Sequence, residues 1–219
     1  MPENFEVPLY LEWVATFSWA LSGALVGVKR EFDEVGVFVI AIVSSFGGGI
    51  IRDGLFLQRP PVVGTNQSYL IIIAVAVLLM LVLGRFIIRL PYLGKIIELI
   101  DAVGTPAFCI VGVQLALSYG YPITGVLLLG VISGVGGGIL RDLMTARVPA
   151  VLQPGQFSTL FVLMACILFL ALEFLLLLPP DTAGWITVVT FFVARTITIR
   201  FNWRTVPVTE SPLWRQLGR

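Results

Sequence analysis

Gly47-Gly48-Gly49-Ile50-Ile51-Arg52-Asp53 returns later in the chain as Gly136-Gly137-Gly138-Ile139-Leu140-Arg141-Asp142. The offset is 89 residues (142 − 53), and it also aligns Gly23 with Gly112, Gly36 with Gly125, Ser44 with Ser133, Pro60 with Pro149, Gln67 with Gln156 and Pro91 with Pro180. Agreement at a single offset along so much of the chain marks an internal duplication. Each copy places three glycines and a charged pair at the end of an apolar run, a pattern that suits a membrane transport path better than a water-soluble core.

Composition points the same way. Of 219 residues, 58% are hydrophobic and 12% charged, against roughly 25% charged in soluble domains, and the mean hydropathy is +0.98. A membrane-spanning helix needs about 20 predominantly apolar residues. Such stretches run over about 8–28, 35–51, 69–90, 96–118, 123–143, 156–179 and 183–201, which predicts seven spans. The connections are short and rich in Pro and Gly, so none of them holds a soluble domain. The first span carries Glu3, Glu6 and Glu12 where a signal peptide would carry basic residues. There is no histidine, which excludes a His-based triad or a His-ligated metal, and Cys109 and Cys166 each lie in an apolar run, as buried free thiols do.

The loop charges set the expected orientation. With seven spans, Arg52 and Arg59 are the only members of the 14 lysines and arginines on the side that holds the N-terminus. The rest, from Lys29 and Arg30 to Arg215 and Arg219, share the other side, which the positive-inside rule makes cytoplasmic. Each repeat has three spans, an odd number, so the second copy is inverted relative to the first. The expected architecture is an all-α polytopic membrane protein of two inverted three-helix repeats, 1–92 and 93–180, followed by a seventh helix and cytoplasmic tail, 181–219. In inverted-repeat folds, interrupted helices of the two halves meet near the midplane and form the site. The Asn66-Gln67-Ser68 sequon falls on the outer side, but so short a pattern carries little weight.

Three helical glycines cost about 1 kcal/mol each relative to alanine. Gly47–Gly49 and Gly136–Gly138 have two readings: close helix packing, or a kink with partial unwinding that bares backbone carbonyls. Adjacent glycines cover most of the helix circumference, which favours the kink. A dinucleotide-loop reading of Gly134-Val135-Gly136 fails, since no strand precedes it and Ile139 stands where a third glycine belongs.

Charges inside spans cost at least about 2.5 kcal/mol and are functional candidates by default. Neighbouring residues on a helix point about 100° apart, so Arg52 with Asp53, and Arg141 with Asp142, are expected to bridge helices rather than satisfy only each other. An ion-pair latch and direct solute contact both remain open as their role. Ser44, Ser45 and Ser133 lie about one turn before the triplets, as oxygen ligands or as hydroxyls bonded back to their own helix. Glu98 and Asp101 share a face of the fourth span, and Gln114 is a deeper candidate for pore lining or interhelical bonding.

The doubled Gly-Gly-Gly-x-x-Arg-Asp in a seven-span chain resembles the trimeric intracellular cation channel family, in particular its prokaryotic branch, whose repeated domain is also known as a glycine-transporter domain. The second repeat carries the family pattern at Asp101, Gly104, Phe108 and Gly112, whereas the first has Glu12, Ala15, Trp19 and Gly23 at those places. The resemblance implies a homotrimer with a pore in each protomer lined by the second and fifth spans; the chain reads as prokaryotic, which makes the plasma (inner) membrane the expected location, and the loop charges put its N-terminus outside. The resemblance also implies passage of monovalent cations, potassium and sodium, with Glu12, Asp101 and Gln114 as further candidates to line the path. The transported cation and membrane lipid are the expected partners besides the chain itself; no cofactor, nucleic acid or enzymatic activity is expected. The competing expectation is a glycine or small neutral amino-acid transporter with alternating access between the repeats.

Overall fold

The computed structural model describes residues 9–61, 66–154, 158–203 and 207–210. Glu3, Glu6, Gln156, Arg215 and Arg219, used above, lie outside them. Among the described residues the chain forms seven helices and no strand: α1 (Leu9–Lys29), α2 (Glu34–Ile51), α3 (Ser68–Ile87), α4 (Leu93–Ser118), α5 (Ile123–Met144), α6 (Ser158–Phe174) and α7 (Pro180–Arg200). Each expected span falls on one helix. Six are long and apolar enough to cross a membrane, and α6 is a shorter apolar helix of 17 residues.

Local chemistry sets several of the ends. Asp33 caps α2, its carboxylate accepting from the Gly36 N–H at 2.7 Å, which satisfies one of the amides a helix start leaves open. Pro180 opens α7 in the first turn, where its missing N–H costs nothing. The turn from α4 to α5 needs a left-handed residue and has Gly120 there, φ +74°; its repeat equivalent between α1 and α2 is Glu31, φ +59°. The backbone therefore repeats even where the residue does not.

Packing repeats as well. α1 packs on α2 and α3 as α4 packs on α5 and α6, and the halves join through α1 against α4 and α2 against α5. α7, outside the duplication, lies on α4 and α6. The result is an all-α membrane fold of two inverted three-helix repeats with a seventh helix added to one of them. α1, α2, α4 and α5 form its centre. α3 stays at the rim, with only 28% of its apolar window covered.

Candidate functional site

α2 and α5 run through their glycine triplets as continuous α-helix. This corrects the expected unwinding at Gly47, Gly48, Gly49, Gly136, Gly137 and Gly138. The physical reason lies across the interface. A Cβ added to Gly48 would strike the carbonyl oxygen of Ser133, and one on Gly137 that of Ser44. A Cβ on Gly136 would stand 2.7 Å from the Gly48 Cα, and one on Gly47 3.1 Å from the Gly137 Cα. Glycine lets the two backbones touch, as small residues do between membrane helices, and the contact leaves no space for a methyl group, still less for a hydrated ion. The only departure from α-geometry comes directly after α2, in a π turn over Arg52–Phe56.

The serines serve the same packing. Ser44 Oγ donates to the Ile40 carbonyl, Ser45 Oγ to that of Ala41 and Ser133 Oγ to that of Leu129, each at 2.7 Å. Ser44 and Ser133 fill the notches left by Gly23 and Gly112, where an added Cβ would collide with each hydroxyl. The protons of Ser44 and Ser133 are committed to their own helices, that of Ser45 is shared with the Thr16 carbonyl of α1 at 3.3 Å, and the lone pairs remain available to neighbours. Ser133 Oγ accepts from Arg52 Nη1 at 3.5 Å, across the α2–α5 contact.

The charged pairs bond to each other, but, as expected, not only to each other. Arg52 Nε lies 2.8 Å from Asp53 Oδ1, and Arg141 Nε 3.2 Å from Asp142 Oδ1. The long guanidinium stem curls back over the adjacent carboxylate, overcoming the angle between the Cβ vectors. Both arginines bridge helices as well. Arg141 Nη1 donates to Ser22 Oγ of α1 at 2.6 Å and lies 3.2 Å from Asp101 Oδ2 of α4, while its guanidinium sits 5.2 Å from the Trp19 ring centre. Asp53 also binds Arg59, at 3.1 Å. Asp142 Oδ2 accepts from the Ala150 N–H at 3.0 Å. Glu12 accepts from the Tyr69 hydroxyl of α3. Arg52 and Asp53 are almost fully buried, 2% and 1% exposed.

These groups line two cavities, and the cavities are images of one another. The smaller is bounded by Glu12, Ser45, Gly49, Arg52, Asp53 and Phe108 among others. Every residue that lines it has its equivalent at the 89-residue offset lining the larger: Glu12 becomes Asp101, Arg52 and Asp53 become Arg141 and Asp142, and Phe108 exchanges with Trp19. Each aromatic thus comes from the other repeat. The volumes differ, about 100 Å³ for the larger and about 10 Å³ for the smaller. A single water needs about 10–15 Å³, so the smaller is effectively shut. The larger also takes in Glu98 of α4 and Phe191 and Arg195 of α7.

Two candidates stand apart. Gln114 is fully buried, its amide nitrogen and oxygen lack a hydrogen-bond partner, and it lines neither cavity. Cys109 and Cys166 are free, buried thiols with their sulfurs 2.7 Å apart between α4 and α6. Sequence reasoning did not place Trp19, Ser22, Arg59, Tyr69 or Arg195 at the site. Arg195 carried a signal, a charge within a span, but α7 has no repeat partner to align it with.

The sequence profile of the family described as Glycine transporter matches twice, over residues 9–85 and 98–173. The two matches begin 89 residues apart (98 − 9), the spacing of the glycine motif. The chain is 38% identical over 143 residues to the UPF0126 membrane protein of Deinococcus radiodurans, a match over 65% of each chain and so just under two thirds of that relative. It is 31% identical over 193 residues to the UPF0126 inner membrane protein YadS of Escherichia coli K12, covering 88% of this chain and 92% of that one. Among solved structures it is similar to a TRIC cation channel studied for conductance, with a TM-score of 0.78 and 27% identity over 92% of this chain and 97% of that channel.

Proposed function

The chain belongs to the Glycine transporter family, and from that premise we propose that it is a channel for monovalent cations, chiefly potassium with sodium, carrying one path in each protomer of a homotrimer. The observation that supports this reading best is the mirrored pair of charged cavities at the two ends of the α2–α5 glycine contact. Glu12 and Asp53 at one end, and Asp101 and Asp142 at the other, concentrate cations, while Arg52 holds Asp53, Arg141 holds Asp101 and Asp142, and the Tyr69 hydroxyl holds Glu12. Conduction requires α2 and α5 to part where Gly47–Gly49 meet Gly136–Gly138. The oxygens of Ser44, Ser45 and Ser133 and the neighbouring carbonyls then replace hydration water around the ion.

In this reading the duplication divides the chain into 1–92, 93–180 and 181–219. The protein sits in a prokaryotic inner membrane, as the name of its Escherichia coli relative states for that protein. Its N-terminus is outside and its C-terminus cytoplasmic. Lipid surrounds the trimer, and the permeating ion is the only ligand the mechanism needs. It is not an enzyme: the fold is that of channels, and the role assigned to every charged group is to hold or attract ions.

One observation favours a second reading, a glycine transporter. The larger cavity holds Arg195 beside Glu98 and Asp101, the opposite charges a zwitterion requires, and mirrored cavities suit alternating access. Cation conduction ranks first because Arg141 already binds Asp101 and Asp142 and Arg195 already faces two carboxylates, which leaves no guanidinium dedicated to a substrate carboxylate. Purified protein in liposomes separates the two. A potassium gradient alone should drive voltage-dependent current without glycine. Saturable glycine accumulation, with no current in its absence, would reverse the ranking.

A further inference from the structure

The mirror between the cavities is imperfect, since seven residues that line the larger one have no equivalent lining the smaller. Phe191 and Arg195 come from α7, which the duplication does not contain, so neither has a counterpart at the smaller cavity. Glu98 is the third unmatched group that the asymmetry rests on, since Leu9 stands at its equivalent position. Arg195 is only 6% exposed and lies within a span, five residues before the end of α7, an expensive place for a charge. The charges it faces are Glu98 and Asp101.

The consequence shows in the two equivalent acids. Asp101 stands between two guanidiniums, that of Arg141 at 3.2 Å and that of Arg195. Glu12 accepts from the neutral hydroxyl of Tyr69 and faces Arg52 and Arg59, both of its own repeat. Both acids thus meet two guanidiniums, but only at Asp101 does one of them come from a helix outside the duplication. Duplication alone would give a path with two equivalent mouths.

We propose that Arg195 of α7 makes the conduction path directional: it lowers cation occupancy at the α4–α5–α7 mouth and so sets the rectification of the current. Glu98 acts in the opposite sense at the same mouth. Phe191, only 5% exposed, lines the same cavity one turn before Arg195 on α7 and holds that stretch of the helix in place. The inference rests on the channel reading above and assigns this task to α7, the helix that lies outside both repeats.

The test is the current–voltage relation of the full-length protein in vesicles whose sidedness is scored by antibody access to a C-terminal tag. Arg195→Gln should raise current carried by potassium moving in from the α7 mouth by about threefold or more, as removal of a nearby like charge does within a low-dielectric path. Arg195→Lys should keep the native asymmetry. Glu98→Gln should shift the rectification in the opposite direction, an outcome that a purely structural role for either residue does not produce. Where Arg195→Gln does not assemble, Glu98→Gln decides alone. Native-like rectification in Glu98→Gln, or identical behaviour of Arg195→Gln and Arg195→Lys, overturns the proposal. A native protein that carries no potassium current would instead overturn the channel reading, so the two failures are distinct.

Discussion

Asp53 and Asp142 occupy equivalent positions, yet their surroundings make them unequal. Asp53 is the carboxylate partner of both Arg52 and Arg59, at 2.8 and 3.1 Å, and Arg52 is 2% exposed. Asp53→Asn leaves Arg52 without its ion-pair partner, with only the Ser133 hydroxyl at 3.5 Å and the field of Glu12, and breaking a buried pair in this way costs about 3–5 kcal/mol. Asp142→Asn leaves Arg141 its ion pair with Asp101 and its bond to Ser22, so the loss should stay nearer that of one charged hydrogen bond, about 1.5–3 kcal/mol. Thermal unfolding in detergent should rank Asp53→Asn clearly below Asp142→Asn, and equal losses would contradict the assignment of partners. The acids and arginines of both motifs were legible in the sequence because charges in spans stand out against an apolar background. Their partners Ser22, Trp19 and Tyr69 were not, since small hydroxyls and aromatics are ordinary in membrane helices and only the fold brings them to a guanidinium or a carboxylate.

At the scale of elements, the sequence read the helices well and the triplets poorly. Span positions follow from length and hydropathy, and each of the seven landed on its helix. The triplets were expected to unwind because the local cost of about 3 kcal/mol for three glycines is visible in the sequence. The contact that makes glycine necessary is visible only between α2 and α5. The positions are therefore not interchangeable. Gly48→Ala and Gly137→Ala drive a methyl group into a backbone carbonyl, an overpacking that costs about 1–3 kcal/mol. Gly49→Ala meets only the Arg52 guanidinium, at 3.7 Å, and should gain part of the roughly 1 kcal/mol of helix propensity that glycine forfeits. Heat stability and potassium flux of the three variants should separate accordingly. A Gly49→Ala protein as impaired as Gly48→Ala would return the triplet to a backbone-flexibility role.

For the molecule as a whole, the arrangement demands that the two cavities open toward opposite sides of the membrane, because three spans invert each repeat relative to the other. The loop cations say which is which. Arg52 and Arg59 flank the smaller cavity, so the orientation proposed from the loop charges turns the larger one toward the cytoplasm. Pro61 lines the smaller cavity and Val151 the larger, both half-buried at its border. The native thiols are buried and so offer little background to a water-soluble reagent. Pro61→Cys should therefore react with a membrane-impermeant maleimide added outside intact cells. Val151→Cys should react only when the cytoplasmic face is exposed in inverted vesicles. Labelling of both from one side would defeat the inverted path altogether. Labelling of each from the face opposite to that expected would preserve the path and reverse only the orientation, which charge, rather than the duplication, decides.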